Sequence, residues 1–145
     1  MKNRIKNQIE IQRSYYKKTA HEYDEIHKYN IYHAHELAFA WMLSLIDMYE
    51  IKSILDIGSG TGKQLKKLID LKPDIKVIGI EPSQELRKIG YQKNINIETL
   101  IDGDAMSLNF DRDEFDLVCE FGALHHMPYP KKAVSEMLRV SKKGI

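Results

Sequence analysis

The sequence predicts an α/β fold built on a doubly wound parallel sheet, with helices before the first strand. From Ile51 onward, short β-branched runs alternate with amphipathic segments, and Gly, Pro and Asp separate them. Residues 1–50 contain neither Pro nor Gly and are rich in Lys, Asn, Tyr and His. Strands that alternate with helices form parallel sheets with right-handed crossovers. We therefore predict an N-terminal helical segment over 1–50, which would cap the site, and a ligand-binding domain over 51–145.

Apolar periodicity places helices in the N-terminal segment. A first helix is predicted over residues 6–18, with a continuation over 23–29. Apolar residues then recur at three- and four-residue spacing, which predicts another helix with a single apolar stripe. The stripe consists of Leu37, Ala38, Trp41, Met42, Leu45, Ile46 and Tyr49.

Four strands alternate with three helices in the second region. The first of these helices is stopped by Pro73, the second has Ser83 as its predicted N-cap, and the third opens at Pro130. The strands are predicted at residues 53–57, 76–80, 95–101 and 115–121.

Composition and charge exclude several function classes. The 22 Lys and Arg against 21 Asp and Glu give a formal net charge of +1. The chain therefore has no large excess of positive charge that would attract nucleic acid or anionic lipid. The apolar stretches are too short to span a bilayer, and no secretory signal follows the basic start, so a cytoplasmic protein is expected. Cys119 is the only cysteine, which excludes a cysteine metal cluster, and His33 and His35 face different ways on a helix. No metal is expected.

The strongest functional signal is the turn Gly58-Ser59-Gly60-Thr61-Gly62 after the first strand. Ligands of doubly wound sheets bind at the carboxyl ends of the strands. Glycines let the backbone approach a ligand, and the following helix N-terminus offers free N–H groups. One glycine would serve a tight turn, so three in alternation favour a binding site.

Two nucleotide-binding motifs fit this turn poorly. A nucleoside-triphosphate loop would need glycine where Ile57 stands and Ser or Thr where Gln64 stands. A dinucleotide fingerprint would need its third glycine at Lys63. Glu81, at the end of the second strand, could bind the ribose of either NAD or another adenosine ligand, so it does not discriminate between them.

A third interpretation rests on four stretches in order along the chain. They are residues 15–24, residues 55–62, Gly103-Asp104-Ala105, and the run from Phe115 to Val140 that includes Leu124-His125-His126-Met127. Through them the chain resembles class I S-adenosylmethionine (SAM) methyltransferases, more closely the small-molecule enzymes of ubiquinone and menaquinone biosynthesis. The resemblance implies a Rossmann-like methyltransferase fold that transfers a methyl group from SAM to a small-molecule acceptor.

The resemblance also implies roles for residues at the strand ends. Glu81 would accept hydrogen bonds from the ribose diol, and Asp104 from the adenine amine, unless Asp104 only caps a turn. His125 and His126 are candidate bases for an acceptor that must lose a proton. The predicted cofactor-binding set is Tyr16, Tyr23, Asp56, Gly58, Ser59, Gly60, Glu81, Pro82, Asp104, Ala105, Met106, Glu120 and Phe121. Helix packing is the alternative role for the tyrosines.

The resemblance breaks at the C-terminal end. Class I methyltransferases usually have seven strands, whereas four are predicted here, so the domain is expected to be truncated before the fifth strand. Lys143 stands where the family usually has proline in the turn into that strand. Residues 115–121 would then form an open sheet edge, which predicts self-association. Two function classes stay open, an active methyltransferase and a non-catalytic SAM-binding module or fragment.

Overall fold

The computed structural model describes Ser14, Tyr15, Thr19 and residues 32–144. The three isolated residues are helical, and the rest of the predicted helices at 6–18 and 23–29 lies outside the described residues. The elements are α1 (Tyr32–Met48), β1 (Ser53–Ile57), α2 (Lys63–Leu71), β2 (Lys76–Ile80), α3 (Gln84–Gln92), β3 (Leu100–Ile101), β4 (Phe115–Glu120), a 3₁₀ turn (Leu124–His126), α4 (Pro130–Val140) and β5 (Ser141–Gly144).

The strands form one parallel sheet in the order β3-β2-β1-β4-β5, which confirms the predicted α/β class. Central β1 pairs with β2 from Ser53↔Lys76 to Ile57↔Ile80 and with β4 from Ile54↔Leu117 to Ile57↔Glu120. The chain runs outward from β1 to β3 and then returns to the other side of β1. The helices that follow β1 and β4 therefore lie on opposite faces of the sheet, and a crevice opens at the carboxyl ends of these strands.

The prediction of a sheet that stops after four strands is wrong. Ser141–Gly144 forms β5, which pairs with β4 through Phe115↔Ser141 and Leu117↔Gly144. Its sequence, Ser-Lys-Lys-Gly, has no apolar or β-branched residue, so only the course of the chain after α4 produces the strand. The β4 edge is therefore covered, and the predicted open edge at residues 115–121 does not exist. Self-association stays a prediction without that route.

The third strand is shorter than predicted, Leu100–Ile101 instead of residues 95–101. Ile95 is buried, but its N–H donates to the Gly90 carbonyl and closes the turn after α3. Ile97 is 68% exposed. The alternation of apolar residues from Ile95 therefore does not mark a strand. Ile95 is buried because it closes the turn after α3.

Both faces of the sheet are covered by apolar side chains. On one face α1 and α2 pack Phe39, Met42, Ile46, Leu65 and Leu68 against Ile54, Val77 and Leu100; on the other, α4 packs Ala133, Met137 and Val140 against Leu55, Ile57, Phe115 and Val118. Most of the single stripe predicted for this helix is exposed, since only Met42 and Ile46 of its seven residues are buried. The spacing of apolar residues along α1 could not show which side of the helix packs against the sheet. No helix in the described part of the chain is long and apolar enough to cross a membrane.

Candidate functional site

A cleft opens where β1, β2, β3 and β4 end, at the predicted edge of the sheet. Its wall is mostly apolar, and two carboxylate side chains contribute to it, which is the usual character of a small-molecule site. The lining residues are Gly58, Gly60, Ile80, Glu81, Pro82, Ser83, Leu86, Gly103, Asp104, Ala105, Met106, Phe121, Gly122, Ala123, His126, Met127 and Pro128. Eight predicted cofactor-binding residues are among them, together with His126.

The Gly-rich turn needs its glycines for close packing. Gly58 has a φ of +69°, and a Cβ there would lie 2.4 Å from the Ala123 Cβ. Gly62 has a φ of +70°, and a Cβ there would lie 2.3 Å from Ile95 Cδ1. The turn is held to β2, because the N–H groups of Gly58 and Ser59 donate to the Ile80 carbonyl at 2.9 and 3.0 Å. It is therefore a rigid part of the cleft wall.

Glu81 is a buried acid on the cleft wall. Its Oε2 accepts from the Gly60 N–H at 3.0 Å, and its Oε1 accepts from the Ser83 N–H at 2.8 Å. Burial raises the pKa of Glu81, and these two N–H groups act in the opposite direction. Each carboxylate oxygen can accept a second hydrogen bond. The group is thus fixed in place and can still receive two donors, such as a vicinal diol.

Arg87, which sequence analysis did not single out, fixes the loop that carries Glu81. Its guanidinium donates to the Glu81 carbonyl oxygen and to Asp102 Oδ1, the latter at 2.6 Å. These bonds join the chain after β2 to the chain after β3. No sequence motif marks this arginine, because its role depends on the distance between two strand ends.

Asp104 caps a turn and also lines the cleft. Its Oδ1 accepts from the Met106 N–H at 2.9 Å, as a turn-capping aspartate does. The residue is also exposed and lines the cleft beside Ala105 and Met106. The second carboxylate oxygen is left to accept from a ligand.

Asp56 and Ser59 lie beneath the cleft wall rather than on it. Asp56 is 4% exposed, and its Oδ1 is 3.9 Å from Cys119 Sγ. Burial raises the pKa of Asp56 to about 6, and the carboxylate of Glu120 adds to this effect. Ser59 Oγ donates to the Asp56 carbonyl oxygen at 3.1 Å. Their position supports the turn from below and does not bring them into the cleft.

The predicted residues after β4 divide in the same way. Phe121 lines the cleft, but Glu120 Oε2 accepts from the N–H groups of Ala123 and Leu124 at 2.6 and 3.2 Å, so Glu120 caps the 3₁₀ turn. His126 lines the cleft and His125 does not, although their ring centroids are 3.7 Å apart. The predicted Tyr16 and Tyr23 lie outside the described residues.

A third histidine lies at this edge of the cleft. The Cε1 and Nε2 atoms of His35 are each 3.0 Å from the point where a Cβ of Gly122 would lie. Sequence analysis singled out His125 and His126 and did not place His35 near Gly122. No signal along the chain could place α1 over the end of β4. Among the residues that the structure describes, no group of three or more His, Cys, Asp or Glu could hold a metal ion.

Comparisons with known proteins agree on one family. A family model described as a methyltransferase domain matches residues 55–144. The chain is similar to the demethylmenaquinone methyltransferase of Staphylococcus carnosus (strain TM300), with 32% identity over 84% of this chain and 52% of that protein. It is also similar to that of Renibacterium salmoninarum, with 36% identity over 63% of this chain and 37% of that protein. The chain thus spans about half or less of the length of these relatives.

Solved structures show the same fold. The YcgJ protein from Bacillus subtilis has a TM-score of 0.60 and 28% identity, over 74% of this chain and 47% of that one. The plantazolicin methyltransferase BpumL, solved with a desmethyl analogue and SAH, has a TM-score of 0.70 over 98% of this chain and 58% of that one. At 19% identity the second likeness shows the fold alone.

Proposed function

Because the chain belongs to the methyltransferase domain family, we propose that it binds S-adenosyl-L-methionine and transfers its methyl group to a small-molecule acceptor. The observation that carries this proposal is the position of Glu81 and its hydrogen bonds. It is a buried carboxylate on the cleft wall, held by one N–H of the Gly-rich turn and one of Ser83. A site with these features suits the ribose of an adenosine ligand that lies across the turn.

The cleft residues fit the parts of SAM. Glu81 would accept from the ribose diol, and Asp104 from the adenine amine, with the Ala105 N–H directed at a ring nitrogen. The apolar side chains of Ile80, Leu86 and Met106 would pack against the adenine. The backbone of Gly58 and Gly60 would border the methionine end. This arrangement leaves the side formed by Phe121, Gly122, His126 and Met127 for the acceptor.

The chain would act mainly by positioning. SAM supplies a methyl group on a sulfonium, which is already a good leaving group. The cleft residues would hold donor and acceptor in line and keep water out, and such orientation accounts for most of the acceleration in a displacement of this kind. A base is needed only when the acceptor loses a proton, and His126 is the sequence-predicted base that borders the cleft.

The acceptor proposed here is a small aromatic alcohol, such as a reduced quinone ring. Two observations support it. Similar proteins carry the name demethylmenaquinone methyltransferase. The acceptor side of the cleft is lined by Phe121 and Met127, whose aromatic and thioether groups pack well against a flat ring. We propose neither a nucleic acid nor a membrane as a partner. The cytoplasmic location remains a prediction.

Calorimetry with SAM, S-adenosylhomocysteine (SAH), NAD and ATP tests the cofactor. We expect SAM and SAH to bind more tightly than the other two, and tighter binding of NAD or ATP would contradict the proposal. Transfer of labelled methyl from SAM to 1,4-dihydroxynaphthalene tests the reaction. Binding of SAM without transfer to this probe or to a metabolite pool would favour the alternative, a non-catalytic SAM-binding module.

A further inference from the structure

We propose that Arg87, on α3, is a positioning residue for the adenosine part of the ligand. Its guanidinium holds the loop that carries Glu81 and the loop that carries Asp104 at one fixed spacing, so that a single adenosine contacts both carboxylates. The inference rests on the proposed function, because it concerns how the same cleft binds SAM. It adds a residue that does not line the cleft and acts through residues that do.

The two loops separate where the pairing of β2 with β3 ends. The Gly79 N–H donates to the Thr99 carbonyl at 2.7 Å, and the Glu81 N–H donates to the Ile101 carbonyl at 3.0 Å. Beyond these bonds, the chain after β2 turns into α3, and the chain after β3 continues along the cleft. The backbone ladder therefore fixes where the loops begin, and their spacing at the cleft depends on contacts beyond it.

The Arg87 side chain makes a cross-link between the loops. Its Nη1 donates to the Glu81 carbonyl oxygen and, at 2.6 Å, to Asp102 Oδ1. Asp102 stands two positions before Asp104, which lines the cleft. The Arg87 side chain is only 12% exposed, whereas that of Asp102 is 74% exposed. A largely buried guanidinium is costly without acceptors, so it favours the arrangement in which both loops reach it.

The helix that carries Arg87 is itself fixed to β3. The Tyr91 hydroxyl donates to the Leu100 carbonyl at 3.0 Å. A Cβ on Gly90 would lie 2.4 Å from Leu100 Cδ2, so α3 and β3 are in close contact. Toward the cleft, the preceding Leu86 is buried and lines it. Arg87 therefore projects from a rigid element, and its bonds transmit that rigidity to the loops.

The charge of Arg87 also acts on the carboxyl group of Glu81. Burial raises the pKa of Glu81, and the Asp56 carboxylate acts in the same direction. The two backbone N–H groups that Glu81 accepts oppose this rise, and so does the guanidinium of Arg87. The arginine thus favours the ionised carboxylate, whose two oxygens can accept from both hydroxyls of a ribose.

A fixed spacing favours a ligand in which ribose and adenine are joined. Loops that are held in place before binding lose little conformational freedom when the ligand arrives, so more of the contact energy appears as affinity. Without Arg87, the loops would have to be ordered by the ligand. Recognition of the diol should suffer most, because Arg87 bonds directly to Glu81.

Calorimetry of the whole chain with SAH tests this role. We expect Arg87→Ala to bind SAH about 10-fold more weakly than the wild type, because the ligand must then order the loops. Arg87→Lys should recover part of the loss, since a single nitrogen makes both bonds and an ammonium can replace it. Lys88→Ala removes the neighbouring, exposed basic residue of α3 and should leave the Kd unchanged.

Circular dichroism checks the fold of each variant. If Arg87→Ala does not fold, Asp102→Ala removes only the exposed end of the cross-link and should weaken SAH by about 3-fold. A wild-type Kd in Arg87→Ala, or in Asp102→Ala where the first variant does not fold, would overturn the proposal.

A second readout separates positioning from a general loosening of the fold. The wild type should bind adenosine about 10-fold or more tightly than 2′,3′-dideoxyadenosine, which lacks the diol. Arg87→Ala should lose most of this preference, and Lys88→Ala should keep it. Weaker binding of both nucleosides to Arg87→Ala with the wild-type preference would overturn the role of Arg87. Failure of the wild type to bind SAH would instead defeat the proposed function, so the two failures are distinguishable.

Discussion

At the scale of single residues, two buried acids near the cleft have different partners and therefore different tasks. Glu81 accepts two backbone N–H groups and lines the cleft, so its carboxyl group is held in place at the surface that a ligand would contact. Asp56 lies below the Gly-rich turn beside Cys119 and a second acid, Glu120. Its ionisation is disfavoured by the fold. The same chemical group thus faces the cleft in one place and lies beneath the turn in the other.

Replacement of Glu81 tests its role in binding. We expect Glu81→Ala to weaken SAM by about 1.5–3 kcal/mol, roughly 10- to 150-fold in Kd, because hydrogen bonds to a charged group are lost. Gln84→Ala, at an exposed position on α3, should leave the Kd unchanged. Calorimetry measures both, and circular dichroism checks the fold. An unchanged Kd in Glu81→Ala would place the ribose elsewhere.

Replacement of Asp56 tests the pH dependence of folding. Burial raises the pKa of Asp56 from 3.8 to about 6, so between these values the folded chain binds a proton that the unfolded chain has lost. This contribution to stability is fully present below about pH 4 and is lost as the pH rises through 6. Asp56→Asn, which cannot ionise, should therefore gain stability relative to wild type as the pH rises, by about 1–3 kcal/mol at pH 7.5.

Asp116 provides a control of opposite sign. Burial works against its ionisation, but the Lys52 N–H, the Lys142 ammonium and Ser53 together lower the pKa of Asp116. Its contribution is present at neutral pH and is lost in acid. Asp116→Asn should therefore destabilise the chain at pH 7.5 and have little effect in acid. Urea unfolding across this pH range measures both variants, and parallel curves for Asp56→Asn and wild type would contradict the expectation.

At the scale of elements, the cleft depends on how closely two loops approach. The turn after β1 and the segment between β4 and the 3₁₀ turn touch at Gly58 and Ala123, where a Cβ on the glycine would lie 2.4 Å from the alanine Cβ. β1 and β4 are paired neighbours, so their loops leave the sheet side by side. The contact therefore links two parts of the cleft wall.

A pair of substitutions tests this contact. Gly58→Ala should destabilise the chain by about 1–3 kcal/mol, because it combines a positive φ with a collision, and it should also weaken SAM binding. Ala123→Gly in the same chain should restore the part that comes from the collision. Unfolding midpoints and SAM affinities for both single variants and the double variant give the coupling energy. Strictly additive effects would show that the two loops do not press on each other.

At the scale of the whole molecule, no single element forms the cleft. Its lining comes from the ends of four strands, so only the folded chain can bind a ligand there. A ligand that binds only the folded state stabilises that state, and the stabilisation grows with the logarithm of the ligand concentration relative to its Kd. Stability in the presence of a ligand thus reports on the assembled site.

Thermal unfolding measures this linkage. SAH at 100 times its Kd should stabilise the chain by about 2.7 kcal/mol and raise the Tm by roughly 5–11 °C. NAD and ATP at the same concentration should raise it less. Glu81→Ala should lose about half to nine-tenths of the stabilisation at the concentration of SAH used for wild type. An equal rise in Tm with NAD or ATP would show that the cleft does not distinguish SAH from other adenosine ligands.

The sequence by itself determined the order of strands and helices and the edge of the sheet where the site lies. Gly58, Glu81, Asp104 and Phe121 could be identified because each follows a strand, and the carboxyl ends of parallel strands meet at one edge. This logic needs only local periodicity and the direction of the strands. It could not separate Glu120, which caps a turn, from the residues that face the cleft.

Only the tertiary structure decided which side chains complete the site. β5 exists because the chain leaves α4 beside β4, although Ser-Lys-Lys-Gly has little preference for a strand. Arg87 joins two loops because two strand ends lie within its reach, and His35 meets Gly122 because α1 crosses the end of β4. These contacts join residues far apart in the chain. Their formation depends on the packing of whole elements, and no local pattern of residues records that packing.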